Sequence, residues 1–391
     1  MNDLVTYIDG KQQEMLSFLE RIVNMDSGTL DKAAVDRLGA ILTDRLTALG
    51  FTVERVPQTQ YGDHLVGHKP GIGDRRILFI GHMDTVFSPG EAARRPFRIE
   101  GDRAYGPGVL DMKGGLVSLL YALEALKATG QPAFDAIPMS VVFNSDEEVL
   151  SPTSRLLIQQ EARRAQLACV FEPARPGGEY VIRRKGVGKY YLTVRGRAAH
   201  AGAQPELGRS AIEEMARKVL EIHALTDYKT GTTLNVGLIR GGERSNVVAA
   251  EAYAEIDVRV PNTNEAKRVE DRLREIVATN TVPDTTAELA GGIDFPPMEQ
   301  TPEARAQFEA LQAVGRTLGL DLKGIATGGG SDGNHASQFT PTLDGMGPRG
   351  SEAHSDREFM VVPTLAERTK VTALFLASWP ELAGAKGKGS S

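Results

Sequence analysis

The sequence predicts an α/β protein: a mainly parallel sheet covered by helices on both faces, with a second, ferredoxin-like domain inserted into it. The first 180 residues alternate short, wholly apolar runs with helical patterns, which is typical of buried parallel strands and their covering helices. Beyond them the strands alternate apolar and polar residues, which is typical of strands with one solvated face. A chain of 391 residues is long enough for two or three domains of ordinary size.

The first part of the larger domain is predicted at residues 1–180. Apolar residues repeat at helical spacing through 16–23 and again through 35–46, so two amphipathic helices come first. Buried strands are then predicted at 76–81, 139–143 and 168–171, and helices at 112–128 and 152–164. Strands that alternate with helices in this way form a sheet with helices on both faces.

The inserted domain is predicted at residues 181–295. Its elements are a strand at 187–195, a helix at 209–226, strands at 232–240 and 251–260, a helix at 264–279 and a weaker strand at 285–290. This order, β-α-β-β-α-β, is that of the ferredoxin-like fold. Residues 296–391 return to helices around a glycine-rich loop and are too few for a third core, so they are predicted to complete the first domain. The terminal AGAKGKGSS is small and polar and is expected to be a flexible tail.

Composition argues against several classes of function. With 45 Lys and Arg against 51 Asp and Glu the net charge is −6, so no basic excess attracts nucleic acid or an anionic membrane. The sequence has no apolar run of about 18 residues, and its N-terminus lacks the pattern of a signal peptide, so a cytoplasmic location is expected. Cys169 is the single cysteine and lies in an apolar run, so we expect an inert core residue rather than part of a thiolate metal cage.

The first two site signals lie after a predicted strand and at the start of a predicted helix. His82 and Asp84 come directly after the strand at 76–81, and residues two apart share a strand face, so Asp84 can support His82 and fix which ring nitrogen faces a metal. The turn from Gly106 to Gly115 brings Asp111 to a helix start. This turn is close to the dinucleotide-binding fingerprint, but Asp111 replaces the third glycine, and a carboxylate there repels a pyrophosphate.

Three further segments complete the set: the acids at 146–148, Glu172 in Phe-Glu-Pro, and His354. Adjacent acids are usually a solvated loop, and each segment is unremarkable by itself. Several of these segments nevertheless follow predicted strands, at the sheet edge where open α/β sheets bind their ligands. Histidine nitrogen and carboxylate oxygen are donors that zinc accepts, and one carboxylate shared between two ions would make a two-metal site.

Taken together, these segments resemble a known family, the co-catalytic zinc aminoacylases and carboxypeptidases. It includes acetylornithine deacetylase, succinyl-diaminopimelate desuccinylase and the folate-hydrolysing glutamate carboxypeptidase. The resemblance covers nearly the whole chain. Its motifs here are residues 81–86, 106–115, 146–148, 171–173, 196–200, 246, 257–259, 327–333 and 353–355. The resemblance implies a zinc-peptidase-like catalytic domain with an inserted lid and dimerisation domain.

The resemblance further implies two zinc ions per subunit, for which Co²⁺ or Mn²⁺ can substitute. The implied ligands are His82, Asp111 and Glu172 for one ion and Asp111, Glu148 and His354 for the other. Asp111 would therefore bridge the two ions, and Glu147 would be the general base and acid. In its glutamate at position 172, where aspartate is the alternative, the chain resembles the branch of deacylases and carboxypeptidases rather than the branch of aminopeptidases and dipeptidases.

Residues of the inserted domain and of the glycine loop are implied to contact the substrate. His200 would donate a hydrogen bond to the oxyanion. Arg259, aided by Asn246, would bind a free α-carboxylate through two hydrogen bonds, and the N–H groups of Gly328, Gly329 and Gly330 would face the same substrate. A homodimer is expected, in which His200 reaches the partner's zinc site.

The expected reaction is cleavage of the amide bond of an N-acyl or peptidyl amino acid with a free α-carboxylate, as in a glutamate carboxypeptidase. The alternative within the same family is deacylation of a small N-acyl amino acid, as in acetylornithine deacetylase. The residues alone also leave open that Arg259, which alternates with Asp257, Glu255 and Glu251, belongs to an ion-paired solvated face.

Two interpretations outside this chemistry stay open. The segment at 329–333 fits the G-x-S-x-G nucleophile elbow, and Asp344 and His354 follow Ser331 in the order that such serine hydrolases use. Too few residues follow Ser331 to build the rest of that fold. A non-catalytic binding protein of the same fold is the other possibility, because a fold alone does not establish activity. Asp332 has no predicted role.

Overall fold

The structure is a computed structural model that describes residues 2–384, with side chains to residue 379. Most of the predicted tail therefore lies outside the described residues. The chain divides into two compact units. The first comprises Met1–Ile182, Gln300–Ala326 and Ser331–Ser391, and the second comprises Arg183–Glu299 and Thr327–Gly330.

The strands are β1 Thr52–Val56, β2 His64–Lys69, β3 Ile77–His82, β4 Arg98–Glu100, β5 Arg103–Tyr105, β6 Met139–Asn144, β7 Leu167–Val170, β8 Tyr180–Arg184, β9 Gly186–Arg195, β10 Thr233–Gly241, β11 Glu251–Val260, β12 Thr286–Phe295, β13 Gly324–Thr327, β14 Thr342–Leu343, β15 Gly350–Ser351 and β16 Phe359–Val361. The helices are α1 Asn2–Gly10, α2 Gln12–Val23, α3 Lys32–Ala48, α4 Glu91–Arg94, α5 Gly114–Ala128, α6 Pro132–Ala136, α7 Arg155–Ala162, α8 Ala211–His223, α9 Thr263–Ala278, α10 Pro302–Thr317, α11 Asp332–Ala336 and α12 Pro363–Gly384. Single helical turns occupy Val109–Lys113, Glu147–Val149 and Pro205–Leu207.

The central sheet of the first unit has the strand order β1-β2-β6-β3-β7-β14. From β6 to β14 all neighbours are parallel, whereas β1 pairs antiparallel with β2 and β2 antiparallel with β6. The prediction of a mainly parallel α/β sheet is confirmed. The apolar pattern did not reveal β1, because its Thr-Val-Glu-Arg-Val sequence is largely solvent-exposed at the sheet edge.

Both faces of this sheet are buried, as predicted. Along β3, Ile77 and Phe79 pack into one hydrophobic cluster with α5 and α12, and the alternate residues Leu78 and Ile80 pack into another with α7. Successive strand residues point to opposite faces, so two clusters on one strand mean that helices cover both sides. No helix in the part of the chain that the structure describes is long and apolar enough to cross a membrane.

The second unit contains a four-stranded antiparallel sheet of order β10-β11-β9-β12. With α8 and α9 in the chain order β9-α8-β10-β11-α9-β12, it has the predicted ferredoxin-like arrangement. Apolar residues of the sheet and of both helices form its own core, which includes Leu192, Met215 and Leu273.

The glycine loop 328–330 belongs to this second unit, although the sequence pattern placed it with the larger domain. Lys185 N–H donates to the carbonyl of Thr327, and Arg184 donates to the carbonyls of Gly329 and Gly330. These contacts with the start of the inserted segment explain the difference, because they depend on long-range pairing that local sequence does not show.

The parallel strands end at the positions where the site residues begin. His82 is the last residue of β3 and lies opposite Asn144, the last residue of β6, in the parallel register. The acids at 146–148 follow β6, and Glu172 follows β7 after one intervening residue. The carboxyl edge of the sheet therefore brings the candidate ligands of three strands together.

Candidate metal centre

His82 is almost completely buried, with 1% of its surface exposed, and both of its ring nitrogens have partners. Nδ1 lies 3.0 Å from the backbone carbonyl of Asp84, which fixes the proton of the neutral ring on Nδ1. Nε2 lies 3.2 Å from Asp111 Oδ1 and 3.5 Å from Glu172 Oε1. The neutral ring of His82 would therefore offer its unprotonated Nε2 to a cation held between these two carboxylates.

The carboxylate of Asp84 contacts both His82 and the turn that follows β6. It lies 3.5 Å from His82 Nδ1, while its oxygens accept hydrogen bonds from the hydroxyl of Thr29 at 2.8 Å and from the N–H groups of Glu147 and Glu148 at 3.3 Å each. β3 ends at His82, so Asp84 lies just beyond the strand. Asp84 supports His82 through its carbonyl and its carboxylate, and it also holds the 147–148 turn with its side chain.

Asp111 connects two groups of donors. Its Oδ1 faces His82, and its Oδ2 lies 3.2 Å from His354 Nε2, which in turn lies 3.0 Å from Glu148 Oε2. Ligand atoms that share a zinc ion at about 2.0–2.2 Å in a tetrahedral site lie roughly 3.3–3.6 Å from one another. The spacings in the two groups, from 3.0 Å to 3.5 Å, are close to this range, and one carboxylate with an oxygen in each group is suited to bridging two cations.

The three adjacent acids after β6 point to three different places. Asp146 is fully buried and accepts hydrogen bonds from Thr153 and Ser154, so it braces the loop rather than facing the donors. Glu148 faces His354, and Glu147 has a carboxylate oxygen within 4.8 Å of donor atoms of His82 and Glu172. The interpretation of this run as a solvated loop is wrong.

Burial and neighbouring charges shift the protonation of the cluster. Burial would lower the pKa of His82, but the carboxylates of Asp111 and Asp84 outweigh it and raise the pKa well above its ordinary value. Burial raises the pKa of Glu147 well above that of a free glutamate, and the negative charge of Glu172 raises it further. A raised pKa makes a carboxylate a stronger proton acceptor than a free glutamate.

The second histidine and its partners show the same balance. Hydrogen bonds to Asp111 and Glu148 raise the pKa of His354 to about 10. Burial raises the pKa of Glu148, which the hydrogen bond to His354 opposes. Carboxylates outnumber imidazoles in this cluster, so a divalent cation would offset the excess negative charge.

The turn that carries Asp111 is fixed by close packing where α5 begins. A Cβ atom on Gly115 would lie 1.9 Å from the carbonyl oxygen of Phe171, the residue before Glu172. Only glycine allows the helix start and the end of β7 to approach so closely. The glycine-rich sequence after Asp111 therefore sets the distance between two of the ligands.

Comparison with known proteins agrees with this site. The model of a family described as peptidase family M20/M25/M40 matches residues 78–378. This range is more than half of the chain and includes all the candidate metal ligands described above. The chain belongs to this family. As an M20 protein it is a metallopeptidase or amidohydrolase, which confirms the predicted enzyme class.

Two curated relatives and one solved structure illustrate the range of the similarity. Carboxypeptidase G2 of Pseudomonas sp. (strain RS-16) is 32% identical over 93% of this chain and 88% of its own length. Succinyl-diaminopimelate desuccinylase of Paracidovorax citrulli is 27% identical over 89% of this chain and 93% of its own length. Aminopeptidase PepT of Bacillus cereus ATCC 10987 superposes with a TM-score of 0.79 at 23% identity, covering 95% of this chain and 99% of the other, and so shows the shared fold.

In the second unit of this M20 protein, His200 and Asn246 lie together on exposed loops. Ala201 N–H donates to the carbonyl of Asn246, and His200 bridges to Val247. Nδ1 of His200 accepts hydrogen bonds from the N–H groups of Gly202 and Ala203, each at 3.1 Å. The proton of its neutral ring is therefore on Nε2, which is free to donate.

Arg259 lies at the opposite end of the same sheet. It pairs in register with Val187 of β9, whereas His200 follows Arg195, the last residue of β9. The steps from Val187 to Arg195 span roughly 26 Å at about 3.3 Å per residue. Within one chain, Asn246 lies beside His200 and not beside Arg259, which it was expected to aid.

Arg259 lies in an ion-paired sheet face and also near the glycine loop that is expected to contact the substrate. Its Nε and Nη2 donate to the two carboxylate oxygens of Asp257, each at 2.9 Å, in a bidentate ion pair. The ion-paired face is thus present. The glycine loop lies at the same end of the sheet, since a Cβ on Gly330 would contact Phe295 and Val187, while Gly328 and Gly329 have open space around them.

The geometry around Ser331 argues against the serine-hydrolase interpretation. Ser331 is fully buried, its hydroxyl donates to Asp344 at 2.6 Å and accepts from Gly333 N–H, and it caps α11. The histidine required by that interpretation, His354, faces Asp111 and Glu148 instead. Ser331 is a helix cap.

Asp332, which had no predicted role, anchors the loop behind the metal centre. It accepts hydrogen bonds from Asn144 at 2.8 Å and from Ser151 at 2.6 Å, and burial raises its pKa to about 7. Asn144 ends β6, and Ser151 follows the 147–149 turn. Only the placement of Asp332 directly after a glycine loop could have suggested that it matters.

Proposed function

We propose that this M20 protein is a di-zinc carboxypeptidase that cleaves the amide bond between an acyl or peptidyl group and an amino acid with a free α-carboxylate. The observation that carries the proposal is that the two carboxylate oxygens of Asp111 face different groups of candidate ligands. One oxygen lies with His82 and Glu172, and the other lies with His354 and Glu148. The similarity to carboxypeptidase G2 over 93% of the chain supports the substrate class.

The bound zinc ions would supply Lewis-acid polarisation of the amide carbonyl and of the attacking water. Glu147 accepts the proton of that water and returns it to the leaving nitrogen, a role that fits its raised pKa and its place beside the His82 donor group. Asp84 holds Glu147 in place by accepting its N–H. Proton transfer of this kind contributes about 10²–10⁴-fold to rate.

The second unit supplies substrate contacts in this proposal. His200 donates its Nε2–H to the oxygen that becomes negative when the carbonyl is attacked, since its Nδ1 already accepts two N–H groups. Arg259 binds the α-carboxylate through its planar guanidinium, and the N–H groups at 328–330, which lie at the same end of the sheet, add to this contact.

We further propose that two copies form a homodimer in which His200 serves the partner's site. His200 and Arg259 lie too far apart along one sheet to reach the same small substrate, so a second copy would complete the site. β10 is an edge strand that pairs only with β11 among the described residues, and it exposes Ile239, while α8 exposes Leu220. An exposed edge strand with neighbouring apolar side chains is suited to pairing with another copy.

The alternative is an N-acyl-amino-acid deacylase, which the lower similarity to the desuccinylase supports. A hydrolysis panel separates the two: zinc-loaded protein is assayed on peptidyl amino acids, N-acetyl and N-succinyl amino acids, and the matching C-terminal amides. The proposal expects release of the C-terminal amino acid from free acids, loss of turnover with EDTA, and recovery with Zn²⁺, Co²⁺ or Mn²⁺. Turnover confined to small N-acyl amino acids would favour deacylation, and turnover that is insensitive to EDTA would refute the metal mechanism.

A further inference from the structure

Glu358 is a fully buried carboxylate that lies next to the metal centre without facing it. It sits at the base of the β15–β16 hairpin, whose loop carries His354. Its oxygens accept three backbone N–H groups of the loop that carries Asp111: Gly108 at 2.9 Å, Leu110 at 2.9 Å and Asp111 at 3.0 Å.

These three bonds cross between two segments that are distant in sequence. Within the 106–113 loop, Val109 N–H donates to the carbonyl of Gly106 and Lys113 N–H donates to the carbonyl of Gly108. Hydrogen bonds from N–H groups to an ionised carboxylate are stronger than those between neutral groups. Burying a carboxylate is costly unless such donors surround it, so the loop and Glu358 stabilise each other.

The same residue also fixes the hairpin loop relative to Asp111. Glu358 N–H donates to the carbonyl of Ser355, next to His354, and His354 itself has a left-handed backbone conformation with φ of 63°. The 3.2 Å approach of His354 Nε2 to Asp111 Oδ2 therefore depends on two loops that meet through one carboxylate.

We propose that Glu358 is a positioning residue that holds Asp111 and His354 at the spacing needed to share a metal ion. This inference rests on the proposed di-zinc function. Of the two donor groups, the one with His354 has both its histidine and Asp111 on segments that Glu358 ties together, whereas His82 is fixed by β3. Loss of Glu358 should therefore weaken the His354–Glu148 position more than the His82–Glu172 position.

The test compares Glu358→Gln with a matched control, Glu161→Gln. Glu161 is also a buried glutamate of the first unit, but it lies on α7 and bonds to His68 and Arg164. In Glu358→Gln the side-chain carbonyl can still accept from Leu110 and Asp111, but the amide group opposes the N–H of Gly108. Zinc per chain and zinc affinity are measured in chelator-buffered zinc, and thermal unfolding is measured in EDTA and in zinc.

Wild type and Glu161→Gln should bind two zinc ions per chain. In Glu358→Gln the weaker zinc affinity should fall by about 10–100-fold, as is typical for groups that orient a ligand, so that one ion is lost at zinc concentrations that saturate the wild type. Its midpoint in EDTA should also fall, because the buried N–H of Gly108 loses its acceptor, so the zinc affinity decides the test. A merely structural role would lower the midpoint in EDTA and leave zinc affinity unchanged.

The inference is overturned if Glu358→Gln binds both ions with wild-type affinity. If Glu358→Gln does not fold, Glu358→Asp is measured in the same way. If neither variant folds in EDTA while Glu161→Gln does, the role of Glu358 is structural and the inference is again overturned. A wild-type protein that binds no zinc refutes the proposed function, whereas a wild type with two ions and an unaffected Glu358→Gln refutes only this inference.

Discussion

The metal centre of the first unit and the substrate contacts proposed for the second unit are built in opposite ways. In the first, His82, Asp111, Glu148 and Glu172 are largely buried and lie within direct contact of one another or of His354. In the second, His200 and Asn246 are exposed, and Arg259 is paired with Asp257. The candidate metal ligands are thus assembled within one compact unit, while the residues proposed for substrate recognition lie apart from one another on the second.

This difference indicates which group of residues can form within one unit and which needs a substrate or a second chain. Buried carboxylates and imidazoles must satisfy one another locally, so the fold places them on strand ends and braces the loops between them. Exposed side chains have no such requirement, because water satisfies their polar groups until a ligand or a second chain binds. Variants in the first unit should therefore change metal binding or chemistry, and variants in the second should change substrate selection or cooperation between copies.

The largest effect is expected from Glu147→Gln. Turnover should fall by about 10²–10⁴-fold, because the group that carries the proton is lost, and two zinc ions per chain should be retained. Glu148→Ala should instead lose metal, because Glu148 is a donor beside His354. Elemental analysis and kcat of both variants check this. An active Glu147→Gln enzyme would show that chemistry does not depend on this residue of the buried centre.

The second effect concerns cooperation between chains. Glu147→Gln and His200→Ala proteins should each be nearly inactive, yet mixing them with subunit exchange should restore about a quarter of wild-type activity, because heterodimers form half of a random mixture and have one intact site. Differently tagged subunits confirm that exchange took place. If His200 serves its own chain, every site keeps one lesion and no activity returns, which would contradict a shared site without affecting the metal centre.

A smaller effect is expected from Arg259→Ala. Hydrogen bonds to a charged group contribute about 1.5–3 kcal/mol, so kcat/KM for free-acid substrates should fall roughly 10–150-fold, with little change for the matching amides. Asp257→Asn is the matched control, since it removes the partner of Arg259 and keeps the guanidinium. Equal losses on acids and amides would assign Arg259 to the structure of the sheet face.

The smallest effect on turnover is expected from Ser331→Ala. The variant loses a helix cap, which is worth about 0.5–2 kcal/mol, and leaves the buried Asp344 short of one donor. The midpoint of thermal unfolding should therefore fall while kcat stays close to that of the wild type. A large loss of kcat without loss of stability would return Ser331 to consideration as a catalytic group.

The sequence was informative where a residue type, a strand end and a motif coincided. His82, the acids after β6 and Glu172 follow buried apolar strands, so the parallel-sheet rule predicts that they lie at one edge of the sheet. The β-α-β-β-α-β order of the second unit followed from periodicity alone. Both are local signals that survive in the folded chain.

The contacts that sequence could not show all depend on backbone groups or on long-range register. The bonds of Asp84 to the 147–148 turn and of Glu358 to the Asp111 loop go to N–H groups, which every residue except proline has and no motif reveals. The separation of Asn246 from Arg259 depends on how β9 and β11 align. A lone acid such as Glu358, near other acids, has no distinguishing pattern.

The parallel register between β3 and β6 has a consequence for changes of chain length. His82 and Asn144 are the last residues of these strands and lie opposite each other, so the histidine and the acids after β6 are placed by counting residues along two strands. A conservative substitution within β3 keeps that count, whereas an insertion or deletion of a single residue turns His82 to the other face of the sheet. Homologous enzymes should therefore vary freely in the identity of the apolar residues at 77–80 but not in their number, and length variation should accumulate in the loops before β3 and after α5.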